Sequence, residues 1–173
     1  MLPKLSLILG GAASGKSAFA ESLVTASGAP RVYIATAQAF DDEMRAKVAA
    51  HLAQRGTNWR TIETPLDAAG ALTQVHETEV VLLDCATMWL SNHLLAENDI
   101  SAESDRLLKA LEVCAGRVVV VSNEVGLDVV PDNKLARQFR DAQGKLNQAI
   151  AARADLAALV VAGLPMVIKG NLP

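Results

Sequence analysis

A chain of 173 residues suits one domain with a core of its own. Hydrophobic residues make up 51% and aromatics only 3%, so that core must be built from Val, Leu, Ile and Ala. A formal charge of −3 gives the chain no general attraction to nucleic acid or an anionic membrane.

Cys85 and Cys114 are too few, and too apolar in setting, for a disulfide framework or a metal cage; both are expected as small buried hydrophobes. Met1-Leu2-Pro3-Lys4 leads directly into the first strand and leaves no room for a signal peptide. The longest apolar stretch, Leu156 to Met166, is interrupted by Gly163 and Pro165 and falls short of the ~18 residues of a membrane span. The expectation is a soluble, cytoplasmic protein with no membrane insertion and no nucleic-acid partner.

The first predicted strand is Lys4–Leu9. Gly10-Gly11-Ala12-Ala13-Ser14-Gly15-Lys16-Ser17 follows it and fits G-x-x-x-x-G-K-[ST], a phosphate-binding loop. Gly10 and Gly15 permit backbone conformations in which successive N–H groups turn inward around phosphate oxygens. Lys16 brings a point charge to the β- and γ-phosphates, and the Ser17 hydroxyl can ligate a Mg²⁺ ion bridging them. The context agrees, because an apolar run precedes the loop and Ser17–Val24 reads as a helix after it.

Further strands are predicted at Arg31–Ala35, Trp59–Glu63, Val80–Asp84, Arg117–Ser122 and Leu156–Ala162, with Val167-Ile168-Lys169 as a short edge strand. Between them Asp42–Arg55, Asp67–Val75, Thr87–Ala96, Ser101–Ala115 and Asn133–Arg153 read as helices. Val80-Val81-Leu82-Leu83 and Val118-Val119-Val120-Val121 are continuous apolar runs, as parallel strands covered on both faces require. The expected fold is a single α/β domain spanning 1–173, with a mostly parallel sheet and helices on both faces.

In such sheets ligands bind outside the carboxyl ends of the strands. That rule collects Gly10–Ser17, Ala35-Thr36-Ala37-Gln38, Glu63-Thr64, Asp84-Cys85, Ser122-Asn123-Glu124 and Gly163 into one polar rim. Asp84, after four apolar residues, has the placement of a carboxylate that holds Mg²⁺ beside a phosphate loop, or else of an N-cap for the next helix. In Asp42–Arg55, Met44, Val48 and Leu52 form the buried stripe, and Lys47, His51 and Arg55 recur at i, i+4, i+8 beside it. That row is either a phosphate-facing one or a solvated basic face. His76 and His93 are expected at the surface or in helix packing.

Asn123 and Glu124 either meet substrate or metal or cap the following turn. Asn133-Lys134 shares the first two positions of the guanine-reading N-K-x-D motif, but position 136 is Ala. Arg137, Arg140, Asp141, Lys145, Asn147 and Gln148 serve an acidic ligand or a subunit contact, or form a solvated face.

Together these blocks resemble, nearly end to end, the bifunctional adenosylcobinamide kinase/adenosylcobinamide-phosphate guanylyltransferases of cobalamin biosynthesis. The resemblance rests on the phosphate loop, Tyr33-Ile34-Ala35-Thr36-Ala37, Asp42-Glu43-Met44 leading to His51, and Trp59-Arg60-Thr61-Ile62-Glu63. It continues through Leu82-Leu83-Asp84-Cys85, Ser122-Asn123-Glu124-Val125-Gly126, Val130-Pro131, Phe139-Arg140-Asp141, Gly144, Asn147-Gln148 and Gly163-Leu164-Pro165.

The resemblance implies a RecA-like P-loop NTPase sheet, ATP or GTP as phosphoryl donor, Mg²⁺ on the nucleotide, and a homotrimer. It implies phosphorylation of adenosylcobinamide, then transfer of GMP from GTP to adenosylcobinamide-phosphate through a GMP–histidine intermediate. The histidine falls on His51, with Lys16 as the second catalytic residue. Nucleotide contacts fall on Gly10, Gly11, Ala12, Ala13, Ser14, Gly15, Lys16, Ser17, Ala35, Thr36, Ala37, Leu52, Ala53, Gln54, Arg55, Glu63 and Asp84, and metal contacts on Ser17 and Asp84.

Two positions depart from the family pattern: Ala13 stands where Arg is common in the loop, and Lys47 where Arg is usual, which loses a bidentate fork. The rival readings are a small-molecule kinase in which His51 is structural, and a GTP-cycling regulatory protein.

Overall fold

In a computed structural model of the chain, residues 1–38 and 58–173 are described. They form one seven-stranded sheet of order β3-β2-β4-β5-β1-β6-β7. The strands are β1 (Leu5–Gly10), β2 (Arg31–Ala35), β3 (Trp59–Glu63), β4 (Val80–Asp84), β5 (Arg117–Asn123), β6 (Leu156–Val161) and β7 (Leu164–Lys169). The described helices are α1 (Lys16–Ala26), α2 (Ala68–Leu72), α3 (Ala86–Leu95), α4 (Ile100–Val113) and α5 (Lys134–Arg153). The expected helix Asp42–Arg55 lies outside the described residues.

β1 to β6 are parallel, and only β7 runs antiparallel, against β6. Ala162 (φ 52°) and Gly163 (φ 78°) form the two-residue turn between β6 and β7, the doubly positive pair that matches strand twist in a tight hairpin. β7 is longer than the three residues expected of it, because Leu164-Pro165-Met166 already pairs with β6. Pro165 is admissible there since β7 is an edge strand.

Strand alternation divides the core into two layers. Ile8, Tyr33, Val80, Leu82, Val119, Val121, Ala158 and Val160 pack on one face with Ala20, Leu23 and Val24 of α1. Leu7, Val32, Ile34, Val81, Leu83, Val118, Val120 and Ala157 face the other way, against Leu72, Trp89, Leu90, Leu107, Leu111, Leu146 and Ile150 of α2 to α5. Val81, Leu82, Leu83 and Val118 to Val121 are fully buried, as the continuous apolar runs predict. Every strand from β1 to β6 therefore delivers its carboxyl end to one edge, with α1 covering one side of it.

Among the described residues no helix is long and apolar enough to cross a membrane.

Candidate functional site at the carboxyl edge

The Gly10–Ser17 loop is built by close contacts that fix its glycines. A Cβ on Gly10 would collide with the Ser14 hydroxyl and stand 2.8 Å from the Val160 carbonyl. Gly15 has φ +91°, and a Cβ there would meet Gly163 Cα at 3.0 Å. Gly163 N–H donates to the Ser14 carbonyl at 2.8 Å, so the β6–β7 turn braces the loop from outside. Lys16 Nζ lies 3.1 Å from the Gly11 carbonyl and curls over the loop. No side chain caps the start of α1, which leaves its first amide groups directed at the loop; such a helix start favours an anion.

Alternation also places the other expected ligands. Tyr33 and Ala35 on β2, Leu82 on β4 and Trp59 on β3 all belong to α1's face, and by the same two-residue period so do Asp84 and Glu63. Ala35, Glu63 and Asp84 thus end three adjacent strands on the face from which Lys16 and Ser17 begin α1. In register, Ala35 pairs with both Asp84 and Glu63. The charge of Lys16 is felt at Cys85, the residue after Asp84.

Asp84 is not the helix cap. Cys85 occupies the N-cap position of α3, its sulfur accepting from Met88 N–H at 3.4 Å. Burial first, and then the neighbouring Asp84 charge, push the Cys85 thiol up to about 11. It therefore stays protonated at neutral pH and is no nucleophile. Cys85 is half-buried with a capping role rather than a plain core residue, whereas Cys114 is buried as expected.

Thr36 is fully buried, and its hydroxyl is committed: it donates to the Cys85 carbonyl at 2.7 Å and accepts from Cys85 N–H at 2.8 Å. Its own carbonyl accepts from Asn92 Nδ2, which also reaches the Pro65 carbonyl. Whatever Thr36 does for a nucleotide, its side chain does by clamping the segment that carries Asp84.

Behind β5 lies a polar cluster that periodicity alone did not reveal. Gln143 Nε2 donates to Ser122 Oγ and Asn147 Oδ1, both at 2.9 Å, and Ser122 Oγ is 2.6 Å from Asn147 Oδ1. Asn147 Nδ2 donates to the Asn123 carbonyl at 3.0 Å, and Asn123 N–H donates to Thr87 Oγ1 at 2.7 Å. Ser122, Gln143, Asn147 and Thr87 are all buried. Asn147 is therefore no surface residue. The available signal was Gln143, Leu146, Asn147 and Ile150, an i, i+3, i+4, i+7 stripe in which two members are polar.

Glu124 closes the turn after β5, its carboxylate accepting from Gly126 N–H at 2.6 Å, while its own N–H donates to the Gly10 carbonyl. Arg137, Asp141, Lys145 and Gln148 are exposed and form a solvated face, from which Arg137, with the half-buried Arg140, holds carbonyls of residues 128, 129, 131 and 132 and so organises this loop. Asn133 is the N-cap of α5 and accepts from Ala136 N–H, which accounts for the Asn133-Lys134 pair without a base-reading role. His93 is buried between Trp89, the Leu66 carbonyl and Asn98, and His76 is exposed. Lys47, His51, Leu52, Ala53, Gln54 and Arg55 lie outside the described residues.

The family model described as cobinamide kinase / cobinamide phosphate guanyltransferase matches residues 6–168. The chain is 48% identical, over 95% of its length and 97% of the relative's, to the bifunctional adenosylcobalamin biosynthesis protein CobP of Pseudomonas aeruginosa. It is 42% identical to the bifunctional adenosylcobalamin biosynthesis protein CobU of Salmonella typhimurium, over 94% and 98% of the two chains. Among solved structures it resembles an ATPase of the type III secretion system of pathogenic bacteria at TM-score 0.61 and 14% identity, over 95% of this chain and 56% of that one. It also resembles the RadB recombinase at TM-score 0.54 and 18% identity, over 91% and 74%. At those identities the likeness shows the fold alone, a P-loop NTPase sheet.

Proposed function

The chain belongs to the cobinamide kinase / cobinamide phosphate guanyltransferase family, and on that premise we infer that its carboxyl edge runs both halves of a bifunctional transferase in cobalamin biosynthesis. The first half phosphorylates adenosylcobinamide with ATP or GTP. The second transfers GMP from GTP to adenosylcobinamide-phosphate, giving adenosylcobinamide-GDP and pyrophosphate. The observation that carries this reading is the placement of the phosphate loop and Asp84 on one face of one edge, since each half-reaction needs a held triphosphate.

In the kinase half the substrate hydroxyl oxygen bonds to the γ-phosphorus as the bond to the β-phosphate bridge breaks, a nucleoside diphosphate leaves, and the hydroxyl proton passes to solvent. This needs positioning and charge stabilisation rather than a protein nucleophile. The Gly11–Ser17 amides and Lys16 supply it. In the guanylyl half a ring nitrogen of His51 attacks the α-phosphorus, forming a P–N bond and expelling pyrophosphate. The phosphate oxygen of adenosylcobinamide-phosphate then displaces His51, which returns neutral. Free histidine has a pKa near 6.5, so about three-quarters is already neutral at pH 7.

Mg²⁺ fits the residues present. The Ser17 hydroxyl and Asp84 carboxylate are hard oxygen donors on α1's face. Among the described residues no group of three or more His, Cys, Asp or Glu stands ready to hold a metal without a nucleotide. Bound there, the ion neutralises charge on the triphosphate. Glu63, Ala35, Thr36, Ala37 and Leu52-Ala53-Gln54-Arg55 complete the proposed nucleotide contacts.

The single domain is proposed to act in the cytoplasm as a homo-oligomer, a homotrimer on the family resemblance. Leu127, Val129 and Val130 before α5, and Leu164, Met166 and Ile168 on β7, are exposed apolar side chains that such an assembly would cover.

The test is a product assay with purified protein, adenosylcobinamide, GTP and Mg²⁺. Adenosylcobinamide-phosphate followed by adenosylcobinamide-GDP is expected, and His51→Ala should stop at the phosphate. Loss of phosphorylation together with guanylyl transfer in a folded His51→Ala protein would contradict the division of labour.

A further inference from the structure

β5 lies between β4 and β1 in the sheet, so its carboxyl end stands between Asp84 and the phosphate loop. Asn123 ends that strand directly opposite Gly10 in register. Val119 and Val121 pack on α1's face, while Ser122 turns to the far side to meet Gln143 and Asn147. The alternation therefore brings the Asn123 side chain to the face that holds Lys16, Ser17 and Asp84.

Both backbone groups of Asn123 are fixed, the N–H by Thr87 Oγ1 at 2.7 Å and the carbonyl by Asn147 Nδ2 at 3.0 Å. Its carboxamide, by contrast, makes no hydrogen bond among the described residues. Glu124, not Asn123, closes the following turn. Four polar side chains are buried behind this one residue, where apolar ones would seal α3 and α5 against β5 without desolvation cost. Two of the four bond directly to the Asn123 backbone, and the other two hold Asn147 in place.

We propose that Asn123 is a further catalytic residue, its Nδ2 donating to an oxygen of the nucleotide's γ-phosphoryl group, and that Thr87 and Asn147 are positioning residues that aim it. The inference deepens the transferase reading and rests on it for the identity of the bound triphosphate. The carboxamide exchanges no proton and forms no covalent bond. It holds the γ-phosphoryl oxygens in place, while the phosphate loop carries the α- and β-phosphates. A contact of this kind separates a triphosphate from a diphosphate, because only the former reaches it.

The experiment measures the affinity of wild type and Asn123→Ala for a non-hydrolysable GTP analogue and for GDP, each with Mg²⁺, by calorimetry. A neutral donor on a charged acceptor predicts a loss of about tenfold or more for the triphosphate. GDP affinity should stay within about twofold, and the unfolding transition should be unchanged because the amide bonds to no described group. Equal losses on both nucleotides, or none on the triphosphate, would overturn the assignment.

Thr87→Val tests the positioning role, with Asn147→Leu as the second variant should the first fail to fold. The triphosphate-selective loss should appear in the wild-type background and vanish in the Asn123→Ala background, while the stability loss persists in both. A triphosphate loss that adds fully to that of Asn123→Ala would mean these residues act elsewhere. Wild-type turnover separates the two readings. If adenosylcobinamide is not phosphorylated, the substrate assignment fails, while the triphosphate-to-diphosphate ratio still decides the role of Asn123.

Discussion

Thr36→Val removes one oxygen and almost no volume, so it isolates the clamp on the segment carrying Asp84. The hydroxyl makes two hydrogen bonds, at 2.7 and 2.8 Å, to the carbonyl and N–H of one residue, Cys85, from a fully buried position. Valine cannot replace either bond, and a buried backbone group left unsatisfied costs about 1–3 kcal/mol. Cys85 is only half-buried, so water recovers part of this loss, and the expected destabilisation is about 2–4 kcal/mol. For a chain of this size that corresponds to a fall in Tm of roughly 4–16 °C. Urea unfolding followed by circular dichroism should show a lower midpoint with an unchanged slope. Thr36→Ser keeps both bonds and loses one methyl, about 1 kcal/mol. A valine variant within about 0.5 kcal/mol of wild type, or a serine variant as unstable as valine, would refute the clamp.

Lys16→Ala should lower phosphorylation turnover by about 10²–10³, the scale of removing one preorganised charge stabiliser; near wild-type rates at saturating nucleotide would remove Lys16 from the mechanism. Asp84→Asn should raise the Mg²⁺ concentration needed for half-maximal activity with little change in Tm, since Cys85 caps α3; a stability loss without a shift in Mg²⁺ dependence would return Asp84 to a structural role. The Cys85 thiol should resist iodoacetamide at pH 8 in the folded protein, with labelling rising only as the pH approaches about 11. Because the folded chain holds that proton more tightly than a free thiol does, this group's contribution to stability is present below the ordinary value of 9.0 and is lost as pH rises towards about 11. Rapid labelling at pH 8 without unfolding would contradict it.

The strands were legible because their apolar runs are short and continuous: β2, β3 and β4 begin and end where the sequence predicts them. The phosphate loop was legible because its glycines are fixed by backbone contacts that the motif encodes. α2 ends at Leu72 instead of Val75, because Thr73, Gln74 and Val75 continue in i→i−3 turns rather than helix. The buried cluster was not legible for a physical reason. Asn147 reads equally as a ligand contact, a subunit contact or a solvated residue until the packing of α5 against β5 encloses it beside Gln143, and the partner those two share, Ser122, comes from β5. Thr36 likewise belongs to the nucleotide block by sequence, yet its hydroxyl is spent on Cys85, some 49 positions along the chain.

Whether one triphosphate site serves a second, covalent half-reaction is decided by mass spectrometry of the protein after incubation with GTP and Mg²⁺. A mass increase of one GMP group is expected, mapped to His51, lost in acid and stable in base as a phosphoramidate, and missing from His51→Ala. An unmodified protein, or an adduct that persists in His51→Ala, would contradict it.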